Sequence, residues 1–137
     1  MNEKYKKFKE RLKRGSGTIL IIDDEEMILD VGESFLKELG YDVLIAKGGN
    51  EGLEIYKMYQ EKIDMVILDM IMPGMTGSDT YDSLKEINHD IKVLLSTGYI
   101  INGEANEILE RGCNGFIEKP SNIEQFSQKI SEILSEI

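Results

Sequence analysis

Five short apolar runs, each followed by an amphipathic stretch, constrain the fold of this chain more than any other feature. The runs occupy residues 18–22 (TILII), 43–46 (VLIA), 65–68 (MVIL), 93–95 (VLL) and 116–117 (FI), and the last is the weakest. They are continuous rather than alternating, which is typical of strands buried on both faces of a parallel sheet. The pattern therefore predicts an α/β domain built from five βα units.

The stretches that follow these runs show the spacing of amphipathic helices. Helical spacing covers Met27–Leu39, Leu53–Tyr59, Tyr81–Ile87, Ile108–Leu109 and Ile123–Ile137. Gly40 and Gly112 supply stop signals after the first and fourth helices. Because βα crossovers are right-handed, we expect a flavodoxin-like, doubly wound, five-stranded parallel sheet of order 2-1-3-4-5, with helices on both faces.

The N-terminal segment differs from the rest of the chain in charge. Residues 1–14 hold seven basic and two acidic side chains, a sum of +5, whereas the whole chain carries −10. A thin helical stripe precedes the Gly15-Ser16-Gly17 break. We expect residues 1–16 to be a basic helical tail or linker and residues 17–137 to be the domain. A frayed tail is favoured over a helix from an upstream domain or a partner-docking helix.

Composition narrows the classes of function. Residues 15–137 carry the remaining net charge of −15, which argues against direct nucleic acid binding by this chain. No apolar run approaches the ~20 residues of a membrane helix, and no secretory signal is evident. The single cysteine, Cys113, cannot form an internal disulfide. We therefore expect a cytoplasmic protein without membrane insertion.

Polar side chains follow four of the five predicted strands. Asp23 and Asp24 follow the first, Asp69 the third, Thr97 the fourth and Lys119 the fifth. The carboxyl ends of parallel strands share one edge of the sheet, and ligands bind there, where the strand order reverses. The sequence therefore predicts that three carboxylates, a hydroxyl and an ammonium meet in one crevice.

These residue types favour phosphoryl chemistry. Three neighbouring carboxylates repel one another unless a hard cation compensates, and Mg²⁺ prefers oxygen ligands. Lys119 and Thr97 can bind phosphoryl oxygens. The remaining carboxylate, Asp69, is then the candidate nucleophile, which would form an aspartyl-phosphate.

Four motifs carry a resemblance to a known family. They are IIDDEE, LDMIMPGMTG, LLSTGY and GFIEKP, in that order, each at a predicted strand end. Over Thr18–Ile137 the chain resembles the receiver domain of two-component response regulators. The wording STGY and EKP is also similar to that of receivers in hybrid histidine kinases.

The resemblance implies a role for each acidic residue. Asp69 would accept a phosphoryl group from a phosphohistidine on a sensor histidine kinase or a histidine phosphotransfer domain. Asp23, Asp24 and Asp69 would hold Mg²⁺, and the backbone carbonyl of Ile71 would complete the protein ligands. The domain would phosphorylate and dephosphorylate itself as a switch, without turnover of an external substrate.

The resemblance also implies a switch. Thr97 and Lys119 would bind the phosphoryl oxygens, and Phe116 would turn inward as Thr97 moves. Lys119–Pro120 would be a cis peptide, as in the family. The output surface would be the face of the fourth and fifth strands with their helices, around residues 97–103, and the same face is a candidate homodimer surface.

Bulky groups near the acceptor predict a long-lived phosphorylated state. Ile71 and Tyr99 lie two residues after Asp69 and Thr97, where they could shield the acylphosphate from water. Two alternatives stay open. One is a degenerate receiver that acts as a phosphorylation-independent binding module. The other is a haloacid dehalogenase-type phosphatase, but its pattern needs a second Asp at the position that Ile71 occupies.

Overall fold

A computed structural model describes residues 2–98, 103–119 and 122–135 of the chain. Its strands are β1 (Thr18–Ile22), β2 (Asp42–Ala46), β3 (Ile63–Asp69), β4 (Val93–Thr97) and β5 (Gly115–Glu118). Its helices are α1 (Glu3–Arg11), α2 (Glu26–Leu39), α3 (Gly49–Met58), α4 (Gly77–Ile87), α5 (Gly103–Glu110) and α6 (Ile123–Leu134).

The five strands form one parallel sheet in the order β2-β1-β3-β4-β5. The predicted doubly wound, flavodoxin-like fold is confirmed. Four strands extend beyond their apolar runs, and the extensions of β3 and β4 include two of the predicted site residues. Asp69 is the last residue of β3, and Thr97 is the last residue of β4, so the sheet itself fixes the backbone of these two residues.

Alternate side chains of the central strands point into two cores, one on each face of the sheet. Leu20 and Ile22 of β1 pack with α3, α4 and α5. Ile19 and Ile21 of the same strand pack with α2 and α6. Burial of the apolar stripes on both faces supplies the main driving force for the fold.

The buried face of α2 differs from the one that the spacing predicted. Met27 and Val31 belong to the predicted stripe, yet they are 76% and 46% exposed. The helix buries Leu29, Gly32, Leu36 and Leu39, and only Leu39 of these belongs to the predicted stripe of Met27, Ile28, Val31, Phe35 and Leu39. Both sets have helical spacing, and the approach of Gly32 to Ile21 of β1 selects the second.

The N-terminal segment is held against the domain near its end, so a frayed tail does not describe residues 8–15. Leu12 is buried in the core between α2 and α6, and Phe8 packs against that core. Arg11 pairs with Glu124 of α6 at 3.3 Å, and the Gly15 amide donates to the Leu39 carbonyl at 2.9 Å.

Four expectations fall wholly or partly on residues outside the described ranges. They concern Tyr99, residues 99–102 of the expected output surface, the Lys119–Pro120 peptide and Ile137. Among the described residues, no helix is long and apolar enough to span a membrane.

Candidate functional site

The sheet brings the polar residues of the carboxyl edge together. Asp23 follows β1 directly, and its amide donates to the Ala46 carbonyl of β2 at 3.1 Å. Asp69 ends β3 opposite Ser96 of β4. Because β1 and β3 are neighbours, Asp23 and Asp69 lie side by side at the point where the strand order reverses.

Three carboxylates converge at this point. One oxygen from each of Asp23, Asp24 and Asp69 lies within 4.8 Å of the other two. Asp23 is 1% exposed and Asp69 is 4% exposed, whereas Asp24 lies at the surface. Buried carboxylates need compensating positive charge, and oxygen donors are the ligands that Mg²⁺ takes. The donor set therefore fits a magnesium ion.

Lys119 supplies positive charge to two of these carboxylates. Its Nζ lies 2.6 Å from Oδ2 of Asp23 and 3.1 Å from Oδ1 of Asp69. The Lys119 amide donates to the Thr97 carbonyl at 2.6 Å, which extends the β4–β5 ladder beyond Glu118. The backbone that positions Lys119 is thus continuous with the end of β4.

The electrostatics of the cluster act most strongly on Asp69. Burial and then the charge of Asp23 raise the pKa of Asp69 to about 7, although Lys119 opposes the shift. For Lys119, burial would lower the pKa, but the hydrogen bond to Asp23 and the charge of Asp69 outweigh burial and raise it. Asp69 therefore gives up its proton near neutral pH, so a bound cation would favour its charged form.

Backbone amides orient both buried carboxylates. The Glu25 amide donates to Oδ1 of Asp23 at 2.9 Å, and the Ile71 amide donates to Oδ1 of Asp69 at 3.3 Å. Each acceptor is two residues before its donor, which is the geometry of a side-chain turn. The sequence showed these acids but not the two amides that fix their orientation.

The two residues of the implied switch lie on neighbouring strands. Thr97 is buried at the end of β4, and Phe116 is half-buried in β5, opposite Leu95. Phe116 packs against the core on the α3–α5 side of the sheet. His89 is exposed in the loop before β4, at the opposite edge of the sheet from the carboxylates.

Sequence reasoning missed the role of a glycine at this edge. A Cβ on Gly77 would lie 2.6 Å from the Asp69 carbonyl oxygen and 2.7 Å from Cα of Met70. Both neighbours are backbone atoms, so α4 can begin this close to β3 only with glycine at its first position. Gly77 belongs to the LDMIMPGMTG motif, but the sequence alone does not show which backbone atoms lie next to this glycine.

The fold and the site together define a doubly wound α/β domain with an acidic cluster at its carboxyl edge, and comparison with known proteins gives the family. The family model described as response regulator receiver domain matches residues 19–131. The chain belongs to this family, whose members act as switch domains in two-component signalling and interact with histidine kinases or phosphotransfer partners. The resemblance drawn from the four motifs is confirmed.

Named relatives support the same assignment. Sensor kinase CckA of Brucella abortus is 32% identical over 120 residues, which is 88% of this chain and 13% of that protein. Response regulator RR06 of Streptococcus pneumoniae is 33% identical over 118 residues, 85% of this chain and 52% of that protein. The chain spans at most about half the length of such curated relatives.

Solved structures agree in fold. A response regulator receiver domain protein of Clostridium thermocellum has a TM-score of 0.79 at 31% identity, covering 86% of this chain and 94% of that one. The receiver domain of hybrid histidine kinase CckA has a TM-score of 0.73 at 28% identity, covering 87% and 100%. The second similarity supports the likeness to hybrid kinase receivers that the STGY and EKP motifs indicated.

Proposed function

We propose that this domain is a phosphoacceptor in which Asp69 takes a phosphoryl group from the phosphohistidine of a sensor histidine kinase or histidine phosphotransfer domain. The observation that carries the proposal is the cluster of Asp23, Asp24 and Asp69, with Lys119 in contact with two of its members. The burial of such a cluster costs free energy, which is hard to account for unless the cluster binds a ligand. Phosphorylation of Asp69 would account for it.

Mg²⁺ would be held by Asp23, Asp24 and Asp69 with the backbone carbonyl of Ile71. When bound, it would supply positive charge to the phosphoryl oxygens and keep Asp69 ionised. Asp24 is the exposed member of the cluster, which gives a hydrated ion a route from solvent. The acids fit the ion in number, oxygen chemistry and mutual distance.

In the transfer itself, a carboxylate oxygen of Asp69 attacks phosphorus, and the bond from phosphorus to the histidine nitrogen breaks. The electron pair of that bond stays on the imidazole. Lys119 neutralises the transferring group and Thr97 donates its hydroxyl to it, which is most of what phosphoryl transfer needs from a protein. Water reverses the modification by hydrolysing the acylphosphate.

Phosphorylation would then bias the domain toward a second conformation. Thr97 moves toward the phosphoryl group, and Phe116 turns into the space that Thr97 leaves. Phe116 lacks a hydroxyl, so this switching rests on packing alone. The output face is that of β4 and β5 with α5 and α6, through which a homodimer would also form.

An exposed apolar groove beside the site suits a partner that presents the phosphohistidine. The groove has a volume of about 210 Å³ and runs between α2 and α6. Its wall includes exposed Met27 and Val31, and its end reaches Asp23 and Lys119. A partner helix lying there would bury apolar surface and bring its histidine close to the carboxyl edge.

The wider role follows from this chemistry. The domain would work in the cytoplasm without turnover of an external substrate, direct nucleic acid binding or membrane insertion. Ile71 is 57% exposed beside the acceptor and would slow hydrolysis of the acylphosphate. We also propose residues 17–137 as the receiver domain and residues 1–16 as a basic helical tail or linker, the end of which packs against that domain.

The decisive experiment is intact mass spectrometry after incubation with acetyl phosphate, with and without Mg²⁺. We expect the wild type to gain one phosphoryl group only with Mg²⁺, and Asp69→Asn to gain none. Labelling of the Asp69→Asn variant would show that another residue accepts the phosphoryl group. No labelling of either protein would favour a degenerate receiver that binds partners without phosphorylation. The phosphatase alternative belongs to another family and finds no support in the family match.

A further inference from the structure

The first residue of α3 lies against the loop that follows the acceptor. This loop, residues 70–76, joins β3 to α4 and contains Ile71. A Cβ on Gly49 would overlap Oγ1 of Thr80, and it would lie only 3.0 Å from Cβ and Cγ of Met75. Gly49 is therefore the point at which α3 contacts both the end of the loop and the first turn of α4.

Of the two contacted residues, Thr80 has little room to move away. Thr80 is 0% exposed, and its hydroxyl donates to the Thr76 carbonyl at 2.8 Å. Its amide donates to the same carbonyl at 2.9 Å, and the Thr76 hydroxyl accepts from the Asp79 amide at 3.1 Å. A side chain at position 49 would therefore displace the loop end and the first turn of α4 together.

The start of the loop is fixed, so it cannot move together with the displaced end. Asp69 is fixed in β3, and the Met70 amide donates to the Ser96 carbonyl at 3.1 Å. The Gly77 amide in turn donates to the Met70 carbonyl at 3.2 Å. Because strand β3 is held, we expect a push at the far end to change the backbone between residues 70 and 76, where the Ile71 carbonyl lies.

We propose that Gly49 is a positioning residue for the magnesium site. By lacking a side chain, it lets Met75 and Thr80 approach α3, and this contact sets the loop so that the Ile71 carbonyl can join the carboxylates as a ligand. The inference rests on the proposed function. It adds a residue from the start of α3, an element that supplies none of the proposed magnesium ligands.

The preceding residue provides a matched control. Gly48 has extended backbone angles, φ −178° and ψ 174°, which any residue adopts. A Cβ built there would meet nothing within 4 Å. Gly48→Ala and Gly49→Ala thus make the same chemical change in adjacent positions, and only the second touches the loop.

The test is calorimetric titration of the metal-free proteins with Mg²⁺ alone, alongside thermal unfolding and the amide NMR signal of Ile71. We expect Gly49→Ala to weaken Mg²⁺ binding about tenfold, as is common when a group that supports a ligand is changed. The Ile71 signal should shift. Gly48→Ala should match the wild type in both. Phosphorylation by acetyl phosphate should recover in Gly49→Ala at saturating Mg²⁺.

A rescue variant separates positioning from general destabilisation. Thr80→Ala in the Gly49→Ala background removes the atom that the new Cβ overlaps. It also deletes a buried hydrogen bond, so the double variant should unfold at a lower temperature than Gly49→Ala. Its Mg²⁺ affinity should nevertheless move back toward wild type. Should Gly49→Ala fail to fold, Met75→Ala opens the same contact from the loop side and should also weaken Mg²⁺ binding.

Each outcome decides between defined possibilities. Equal Mg²⁺ affinity of Gly49→Ala and Gly48→Ala would overturn the inference alone. The same holds if the double variant loses affinity in proportion to its loss of stability. If the wild type binds no Mg²⁺, both the proposed function and this inference are wrong.

Discussion

The two edges of the sheet both hold charged side chains, but they use them in opposite ways. At the carboxyl edge, Asp23 and Asp69 are buried together around one ammonium group. At the amino edge, an open cavity of about 500 Å³ is lined by exposed groups that include Asp64 and Asp90. The larger cavity therefore lies at the edge where the charges remain solvated.

The difference lies in how the carboxylates are satisfied. Asp64 accepts a hydrogen bond from the Thr18 amide at 2.8 Å, at the surface, and thereby ties the starts of β1 and β3 together. Asp69 instead shares Lys119 with Asp23, and its pKa is raised to about 7. Perturbed pKa values cluster at functional sites, so the carboxyl edge is the one that we propose to be reactive, and the amino edge is the one that we propose to be structural.

The largest expected effect comes from removing the shared ammonium. Lys119→Met should slow phosphorylation by acetyl phosphate roughly 10²- to 10³-fold, because the charge on the transferring group loses a preorganised partner. Lys92→Met is the control at the other edge, where Lys92 donates to the Leu134 carbonyl at 3.2 Å. Initial rates from intact mass spectra would measure both. Equal loss in the two variants would erase the distinction between the edges.

The second expected effect is on stability as a function of pH in the absence of metal. The folded-state pKa of Asp69 is about 7, against an ordinary value of 3.8, so the native state keeps a proton that the unfolded state releases between these values. Stability should therefore fall as pH rises from 5 to 7, by on the order of 1 kcal/mol per pH unit.

Urea unfolding of wild type and Asp69→Asn at several pH values would isolate this contribution. The variant cannot titrate at position 69, so the wild type should lose stability relative to it as pH rises and level off above the folded-state pKa. Saturating Mg²⁺ should abolish the loss. A difference curve that is flat or rises with pH would mean that the carboxylates of this edge are as well satisfied as Asp64.

The same contrast explains what the sequence could and could not predict. The apolar runs are local signals that predict a parallel sheet, and right-handed crossovers leave few strand orders, of which 2-1-3-4-5 fits best. In that order the carboxyl edge gathers Asp23, Asp69 and Lys119. The pairing of Lys119 with two acids does not follow from these signals, because it depends on side-chain reach across three strands. Gly49 looks like an ordinary turn glycine, since the atoms that it approaches lie about thirty residues away in sequence.

A smaller effect concerns hydrolysis of the phosphorylated form. Ile71 is exposed beside the proposed acceptor, so Ile71→Asn should admit water and shorten the acylphosphate lifetime several-fold, which is about 1 kcal/mol in the barrier to hydrolysis. Met58→Asn changes another exposed apolar residue, 72% exposed at the end of α3, and should leave the lifetime unchanged. Decay of the phosphorylated mass after removal of the donor would measure it. Equal lifetimes of Ile71→Asn and wild type would show that Ile71 does not shield the acceptor.

The smallest expected effect is at the amino edge, and it completes the comparison. Asp64→Ala removes the acceptor of the Thr18 amide, which should cost about 1 kcal/mol of unfolding free energy, the usual net worth of one hydrogen bond. The phosphorylation rate and Mg²⁺ affinity should not change. Urea unfolding and acetyl phosphate labelling of the same preparation would measure both. If Asp64→Ala altered labelling at unchanged fold, the two edges would be coupled through β3, and the division into a reactive and a structural edge would fail.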